Sequence, residues 1–157
     1  AIDLIDSLLR DRKFHNYLIA AGGDILGRGR RKDGNPWMIG IKHPRRTDRL
    51  LATVPLSDGC IFTSGDYERF RIVDGTRYHH ILNPRTGYPW RGLQSLTLRA
   101  RDPVEADVLC TGLFCWPVDS ILAFVRTRPR LECLAVDSSG TVRVGEGWEQ
   151  EVELLFD

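Results

Sequence analysis

Short apolar runs separated by turn-forming residues recur along most of the chain, and this pattern restricts the possible folds more than any other feature. Such runs predict strands at residues 16–21, 25–30, 37–42, 50–56, 60–63, 93–100, 131–136, 141–144 and 148–155. Asp74-Gly75 separates two further runs, 70–73 and 78–81, and this dipeptide is typical of a tight hairpin. Short strands joined by tight turns pair in antiparallel fashion. Alternation within 93–100 predicts a strand with one buried face.

Three segments show a helical pattern instead. Residues 2–13 predict an amphipathic helix with an apolar stripe made of Ile2, Ile5, Leu8 and Leu9. Asp102 and Pro103 are suited to begin a second helix that reaches about residue 114, and residues 118–126 predict a third. The expected structure is one α+β domain over residues 1–157, with a largely antiparallel sheet and a few helices.

The charge balance argues against nucleic acid and anionic membrane as partners. The 157 residues include 22 Lys and Arg against 21 Asp and Glu, a formal net charge of +1, so no overall field attracts a polyanion. Basic clusters at 28–32 and 45–46 are read as solvated loops in preference to a phosphate-steering patch. No apolar run approaches the roughly 18 residues that span a bilayer.

Four cysteines, Cys60, Cys110, Cys115 and Cys133, form no metal-type pair. They are therefore expected to be small buried hydrophobic side chains.

Two strand ends carry glycine, hydroxyl and carboxylate groups together. Gly22-Gly23-Asp24 follows the first predicted strand, and Thr63-Ser64-Gly65-Asp66 ends a later one. Glycine lets a backbone approach a ligand closely, so either segment could hold a pyrophosphate. Taken singly, each is better explained as an ordinary turn.

Two further features are of the type that supports catalysis. Of the adjacent histidines His79 and His80, one points inward and the other outward on a strand, and such a side chain serves as acid or base near neutral pH or simply packs. Asp107 and Thr111 lie four residues apart, so their oxygens share one helix face. A carboxylate and a hydroxyl suit Mg²⁺, although Asp107 could equally complement the helix dipole.

The order of these motifs carries more information than any one of them. Gly-Gly-Asp-Ile, Trp-x-Ile-Gly-Ile-x-x-Pro, Thr-Ser-Gly-Asp-Tyr-Glu-Arg-Phe, Tyr-x-His-Ile-x-x-Pro-Arg-Thr-Gly-x-Pro and Ala-Asp-x-x-x-Thr follow one another over residues 15–137. In this order they resemble the FAD:protein FMN transferase (ApbE) family.

The resemblance implies an Mg²⁺-dependent enzyme that moves FMN from FAD to a Thr or Ser hydroxyl of an acceptor protein and releases AMP. By motif, the metal ligands are Asp107 and Thr111, and His80, which precedes Ile81, is the family histidine. The flavin nucleotide site is lined by Gly22, Gly23, Asp24, Thr63, Ser64, Gly65 and Asp66. Arg85 is a possible phosphate contact without support from a motif.

This chain departs from the family pattern in two ways. Asn83 stands where the family usually carries Asp, which matters if that carboxylate supplies charge and not if it only caps a turn. The chain also resembles only the C-terminal half of the family, so the N-terminal half is expected as a partner, and the chain alone is expected to have exposed apolar surface and an incomplete flavin site.

Other functions remain open from the sequence alone. The alternatives are an FAD pyrophosphatase that yields FMN and AMP, a non-catalytic flavin-binding module, and a structural interaction domain. Five retained ligand-type motifs argue against the last. The resemblance also implies a place in the bacterial cell envelope or periplasm, although no membrane-spanning segment is expected.

Overall fold

A computed structural model describes residues 1–46 and 48–155. Its helices are α1 (Ile2–Asp11), α2 (Pro103–Leu113) and α3 (Val118–Arg126). Its strands are β1 (Tyr17–Ala21), β2 (Asp24–Arg28), β3 (Trp37–Lys42), β4 (Leu50–Leu56), β5 (Gly59–Gly65), β6 (Phe70–Val73), β7 (Thr76–His79), β8 (Leu93–Ala100), β9 (Glu132–Asp137), β10 (Val142–Val144) and β11 (Glu153–Leu154). The predicted α+β class is confirmed, and every described strand pair is antiparallel.

The molecule has three layers. A six-stranded sheet in the order β1-β2-β5-β8-β9-β10 forms the middle layer, and a three-stranded sheet, β11-β4-β3, covers one of its faces. The helices α2 and α3 cover the other face. Successive side chains of β5 consequently enter different cores: Cys60 and Phe62 pack under the helices, whereas Ile61 packs against the smaller sheet.

This double cover overturns the prediction that β8 has only one buried face. All its residues except Arg99 are buried. The alternation of polar and apolar residues suggests a solvent-facing side, but the polar Thr97 is fully buried. Its hydroxyl lies 2.9 Å from the Thr63 hydroxyl, so its hydrogen-bonding group has a partner. A polar side chain with a partner therefore sits in the core at little cost.

The predicted strand at 148–155 is also wrong over most of its length. Only Glu153–Leu154 pairs, with β4, and the preceding residues form turns. Trp148 is completely buried between the two sheets. Arg99 packs its guanidinium 5.2 Å from the Trp148 ring and binds the carboxylates of Glu132 and Glu151, which holds the turn in place.

The first helix is held by a polar contact as well as by apolar packing. Of the predicted stripe only Ile2 is buried, and Leu9 packs partly against the core. The Asp6 carboxylate receives hydrogen bonds from Arg28 Nε at 2.8 Å, Arg28 Nη2 at 2.7 Å and Tyr17 Oη at 2.7 Å. Arg28 was predicted to be a solvated loop residue, and its interior ion pair contradicts that prediction.

Apolar side chains remain exposed along α1 and α2. Leu4 is 72% exposed and Leu8 54%, and Val104 and Val108 on α2 are exposed as well. Exposed apolar surface was expected, and the partner that would cover it stays a prediction. None of the helices in the described part of the chain has the length and apolar character that a membrane crossing requires.

Asp6→Asn is expected to lower the free energy of unfolding at pH 7 by about 1.5–3 kcal/mol, because a charge-assisted interaction is lost. The Arg28 guanidinium lowers the pKa of Asp6 below its ordinary 3.8 in the folded chain. The stabilisation is therefore present above that value and disappears as the pH falls through the lower, folded-state pKa.

Urea denaturation between pH 2 and 7 measures this difference. The matched control is Asp11→Asn, at the exposed end of the same helix, which is expected to change stability by less than about 0.5 kcal/mol. An equal loss in both variants, or a loss from Asp6→Asn that persists at pH 2, would contradict the assignment.

Candidate functional site

The helix α2 presents Asp107 and Thr111 because its start and its buried face are both fixed. The Asp102 side chain accepts hydrogen bonds from the backbone N–H of Val104 at 2.7 Å and of Glu105 at 3.0 Å, so the predicted N-cap is confirmed. Asp107 and Thr111 are both exposed. Their shared face is thus available to a ligand.

Cys110 is the point at which α2 is attached to the sheet. Its sulfur lies 3.1 Å from the Leu96 carbonyl oxygen and 3.5 Å from that of Phe62, and it accepts a hydrogen bond from Ser64 N–H at 3.2 Å. Burial raises the pKa of this thiol to about 12. It therefore stays neutral at physiological pH, with one proton to donate and lone pairs to accept.

This attachment brings Thr111 to the end of β5. The hydroxyl oxygens of Thr111 and Ser64 lie 3.4 Å apart, close to the limit of a hydrogen bond. Two motifs that are 47 residues apart in the sequence therefore meet. Neither hydroxyl is tightly engaged, which leaves both free to turn toward a phosphate oxygen or a cation.

Gly22 and Gly23 form the exposed turn between β1 and β2. Their φ angles are 65° and 106°, in the region that favours glycine, and a Cβ at either position would meet no atom within 4 Å. The glycines are therefore required by backbone conformation rather than by crowding. They line a cavity of about 160 Å³ together with Lys42, Thr63 and Tyr67.

Asp24, the next residue, lies beside Asp107. The two carboxylates line one cavity of about 240 Å³ between α1, β2 and α2. Burial raises the pKa of Asp24, and the neighbouring charges of Asp107 and Glu68 raise it further, whereas the Thr63 backbone N–H lowers it. Carboxylates that repel one another in this way favour the binding of a cation.

Asp66 lies apart from the other predicted nucleotide-site residues. Its two carboxylate oxygens accept hydrogen bonds of 2.6 Å each from Arg45, and the pair borders a different cavity. Arg45, like Arg28, is thus held in an ion pair instead of a solvated loop. Gly65 has no room for a side chain, because a Cβ there would overlap the Tyr67 ring.

The two histidines have separate surroundings. His79 is buried, with Nε2 2.6 Å from the Trp90 carbonyl oxygen and Nδ1 accepting from the Ile81 backbone N–H at 3.3 Å. Its ring also packs edge-on against Phe114. Both nitrogens are occupied, which makes His79 a structural residue.

His80 is exposed, and its Nδ1 lies 3.4 Å from the Arg69 carbonyl oxygen. A proton on Nδ1 leaves the lone pair on Nε2 available to accept another proton. His80 and Thr111 both line the largest cavity, of about 720 Å³, with Arg85 and Trp116 on its walls. His80 and Thr111 therefore border one space.

Asn83 acts as a turn cap. Its side-chain oxygen accepts a hydrogen bond from Arg85 N–H at 2.9 Å, and its carbonyl oxygen accepts from Gly87 N–H at 2.8 Å. An aspartate carboxylate would accept the same bond, so the departure from the family pattern leaves the loop intact. Arg85 is exposed at the rim of the cavity.

Sequence reasoning assigned no place in the site to Lys42, Glu68, Trp90 and Cys115, which line cavities, or to Cys110, which attaches α2 to the sheet. Cys115 was expected to be buried, but it is only half-buried and lines the largest cavity. The other three cysteines are buried as predicted. No local signal marks Lys42, which reaches the cavity only through tertiary packing, whereas Glu68 lies within the Thr-Ser-Gly-Asp-Tyr-Glu-Arg-Phe motif, two residues after Asp66.

The donor set at Asp107 and Thr111 suits a metal that takes few protein ligands. Over residues 1–46 and 48–155, no group of three or more His, Cys, Asp or Glu side chains is arranged to hold an ion. Mg²⁺ commonly binds through one or two carboxylates and completes its shell with water and substrate phosphates. Asp107, Thr111 and the nearby Asp24 fit that mode.

Comparisons with known proteins agree with the motif order. A model of the ApbE family matches residues 1–135. An FAD:protein FMN transferase of Treponema pallidum is 32% identical over 164 residues, covering 98% of this chain and 45% of its own length. Another, from Vibrio cholerae, is 36% identical over 71% of this chain and 34% of its own length.

Solved structures of ApbE proteins share the fold of this chain. The ApbE protein from Thermotoga maritima is 38% identical with a TM-score of 0.78, covering 87% of this chain and 44% of its own. The flavin transferase ApbE from Vibrio cholerae is 28% identical with a TM-score of 0.80, covering 95% of this chain and 48% of its own. This chain therefore spans between a third and a half of the relatives it matches.

The separate roles of the two histidines lead to one prediction. His79→Ala removes two interior hydrogen bonds and a ring contact, so it is expected to lower the free energy of unfolding by about 2–4 kcal/mol. His80→Ala is expected to change it by less than about 0.5 kcal/mol. Chemical denaturation of both variants measures this, and equal losses would contradict the assignment.

A second prediction concerns Asp24. Asp24→Asn removes a desolvated charge and keeps an oxygen for the Thr63 N–H, so it is expected to stabilise the metal-free chain at pH 7 by up to about 1 kcal/mol. Because the folded-state pKa of Asp24 is raised, its unfavourable effect is complete at neutral pH, fades as the pH falls through that raised pKa and is absent below the ordinary 3.8. Thermal unfolding with a chelator at pH 3 and 7 tests this, and a destabilised variant at pH 7 would contradict it.

Proposed function

Because this chain belongs to the ApbE family, we propose that it is the C-terminal part of an Mg²⁺-dependent FAD:protein FMN transferase. The observation that carries the proposal is the meeting of Thr111 with Ser64, at 3.4 Å, beside the carboxylates of Asp107 and Asp24. The ApbE family model matches residues 1–135, which include these residues, and a relative named FAD:protein FMN transferase matches 98% of the chain.

In the proposed site Asp107 and Thr111 hold the cation, and Asp24 adds negative charge nearby. Mg²⁺, when bound, supplies charge neutralisation for the pyrophosphate oxygens of FAD. Gly22 and Gly23 leave room for close approach of the nucleotide, and the Ser64 hydroxyl offers it a hydrogen bond. Arg85, at the rim of the largest cavity, is suited to a further phosphate contact.

The proposed reaction joins FMN to an acceptor hydroxyl. The oxygen of a Thr or Ser in the acceptor protein attacks the phosphorus on the FMN side of the pyrophosphate. The bond from that phosphorus to the bridging oxygen breaks, and AMP leaves with the oxygen. The acceptor hydroxyl gives its proton to His80 Nε2, because His79 has no free nitrogen.

The large cavity supports transfer to a protein rather than to water. It is about 720 Å³ in volume and is bordered by His80 and Thr111, so an acceptor segment has room beside the proposed base. In a pyrophosphatase, water would attack the same phosphorus and free FMN would appear. The N-terminal region of the family and a cell-envelope location remain part of the proposal and rest on the family alone.

Mg²⁺ is expected to tighten FAD binding by about tenfold or more in the wild-type chain, a usual size for coupling between two ligands. Asp107→Asn should abolish this coupling while keeping the side-chain volume. Glu105→Gln, on the same helix but without a place in the site, is the control. Quenching of flavin fluorescence, with Mg²⁺ replaced by chelator, measures the effect.

If Mg²⁺ tightens FAD binding equally in wild type, Asp107→Asn and Glu105→Gln, Asp107 is not its ligand.

A turnover assay separates the candidate reactions. With FAD, Mg²⁺ and a Thr-bearing acceptor protein, transfer adds an FMN phosphoester to the acceptor mass and releases AMP. Equal amounts of free FMN and AMP would indicate a pyrophosphatase, and FAD binding without either product would indicate a flavin-binding module.

A further inference from the structure

The cavity bordered by Arg45 and Asp66, called here the hairpin cavity, is also lined by His79. It has a volume of about 280 Å³, is open to solvent, and is bordered by the β6–β7 hairpin, the start of β8 and the loop that carries Arg45. Its charged lining residues are Arg45, Arg77, Arg91 and Asp66. It shares only the Trp90 side of its wall with the cavity that His80 borders.

Two positive charges in the hairpin cavity have no counter-charge. Arg45 is neutralised by Asp66, at 2.6 Å for both hydrogen bonds. Arg77 stacks its guanidinium 3.8 Å from the centre of the Phe70 ring. Across residues 1–46 and 48–155 no carboxylate lies within ion-pair distance of Arg77 or Arg91.

Two buried donors beside this cavity also lack an acceptor. Arg77 Nη1 and Trp90 Nε1 are inaccessible to solvent and have no hydrogen-bond partner among the described residues. A buried donor left unpaired costs about 1–3 kcal/mol, and more when it is charged. His79 offers no acceptor to either, because both of its nitrogens are engaged.

The backbone beside these donors is shaped to admit the indole. A Cβ at Gly92 would lie 2.6 Å from Trp90 Nε1, so only glycine allows the ring to occupy this place. The position of Trp90 is further fixed by the His79 contact to its carbonyl oxygen. Trp90 and the two arginines without a counter-charge line the same cavity.

We infer that the hairpin cavity binds a phosphate-type dianion, either inorganic phosphate or a phosphate monoester. Two free arginines match two negative charges, and the fork of a guanidinium pairs with two phosphate oxygens. This site is separate from the proposed flavin site and does not depend on it, because Asp107, Thr111 and His80 line other cavities.

Calorimetric titration with potassium phosphate, and separately with methyl phosphate, tests the inference. The ionic strength is held constant with KCl and Mg²⁺ is omitted, so that the metal site does not contribute. Saturable binding is expected for wild type, with at least about tenfold weaker binding in Arg77→Gln and in Arg91→Gln, since each loses a charge-assisted interaction. A preference for methyl phosphate would identify an ester as the ligand.

Arg71→Gln is the matched control, because Arg71 is exposed on the same hairpin but does not line the cavity. It is expected to bind phosphate within about twofold of wild type. If Arg77→Gln fails to fold, the exposed Arg91 variant decides the question. Absence of saturable binding in wild type, or the same loss in Arg71→Gln, would overturn the inference.

Discussion

The proposed site depends on one constraint, the attachment of α2 to the sheet through Cys110. A neutral, fully buried thiol contacts the backbone of β5 and β8, and this fixes the rotation of the helix about its axis. With Cys110 turned inward, Asp107 and Thr111 necessarily face the ends of β2 and β5. A larger or charged side chain at this position would displace the helix, and both ligand-type oxygens would move with it.

The negative charges around the proposed site destabilise the folded chain when no cation is bound. Asp24 loses hydration and faces two other carboxylates, which is unfavourable until a cation arrives. Elsewhere the same chain neutralises its interior carboxylates with arginine, as Asp6 and Asp66 show. This contrast supports the proposed role of Asp24 as a carboxylate that faces a ligand, unlike Asp6 and Asp66, which stabilise the fold.

Much of the local structure could be predicted because its causes are local. Asp74 and Gly75 adopt φ angles of 48° and 72° and produce the expected hairpin, and Asp102 caps α2 as its sequence context indicates. The meeting of distant motifs was implied only by resemblance to a family. Periodicity was misleading for β8, because a second sheet covers the face that alternation assigns to solvent.

The remaining differences arise from partners that sequence patterns do not reveal. Arg28 and Arg45 stand in basic clusters, yet each pairs with a carboxylate more than 20 residues away. Asp66 belongs to a conspicuous motif but pairs with Arg45 and lines a different cavity from Gly22 and Gly23. The burial of Trp148 and the pairing of Arg99 with Glu151 replace a predicted strand with turns. In each case a long-range contact outweighs a local preference.

The central claim is that this chain itself brings together the metal-binding and nucleotide-binding groups. Paramagnetic broadening of backbone amide signals by Mn²⁺, titrated with FAD into the isotopically labelled chain, tests it most directly. The account predicts selective broadening around Gly23, Asp24, Ser64, Asp107 and Thr111, removed by excess Mg²⁺. Broadening centred on other acidic residues, such as Glu132 and Glu151, or no selective broadening at all, would contradict it.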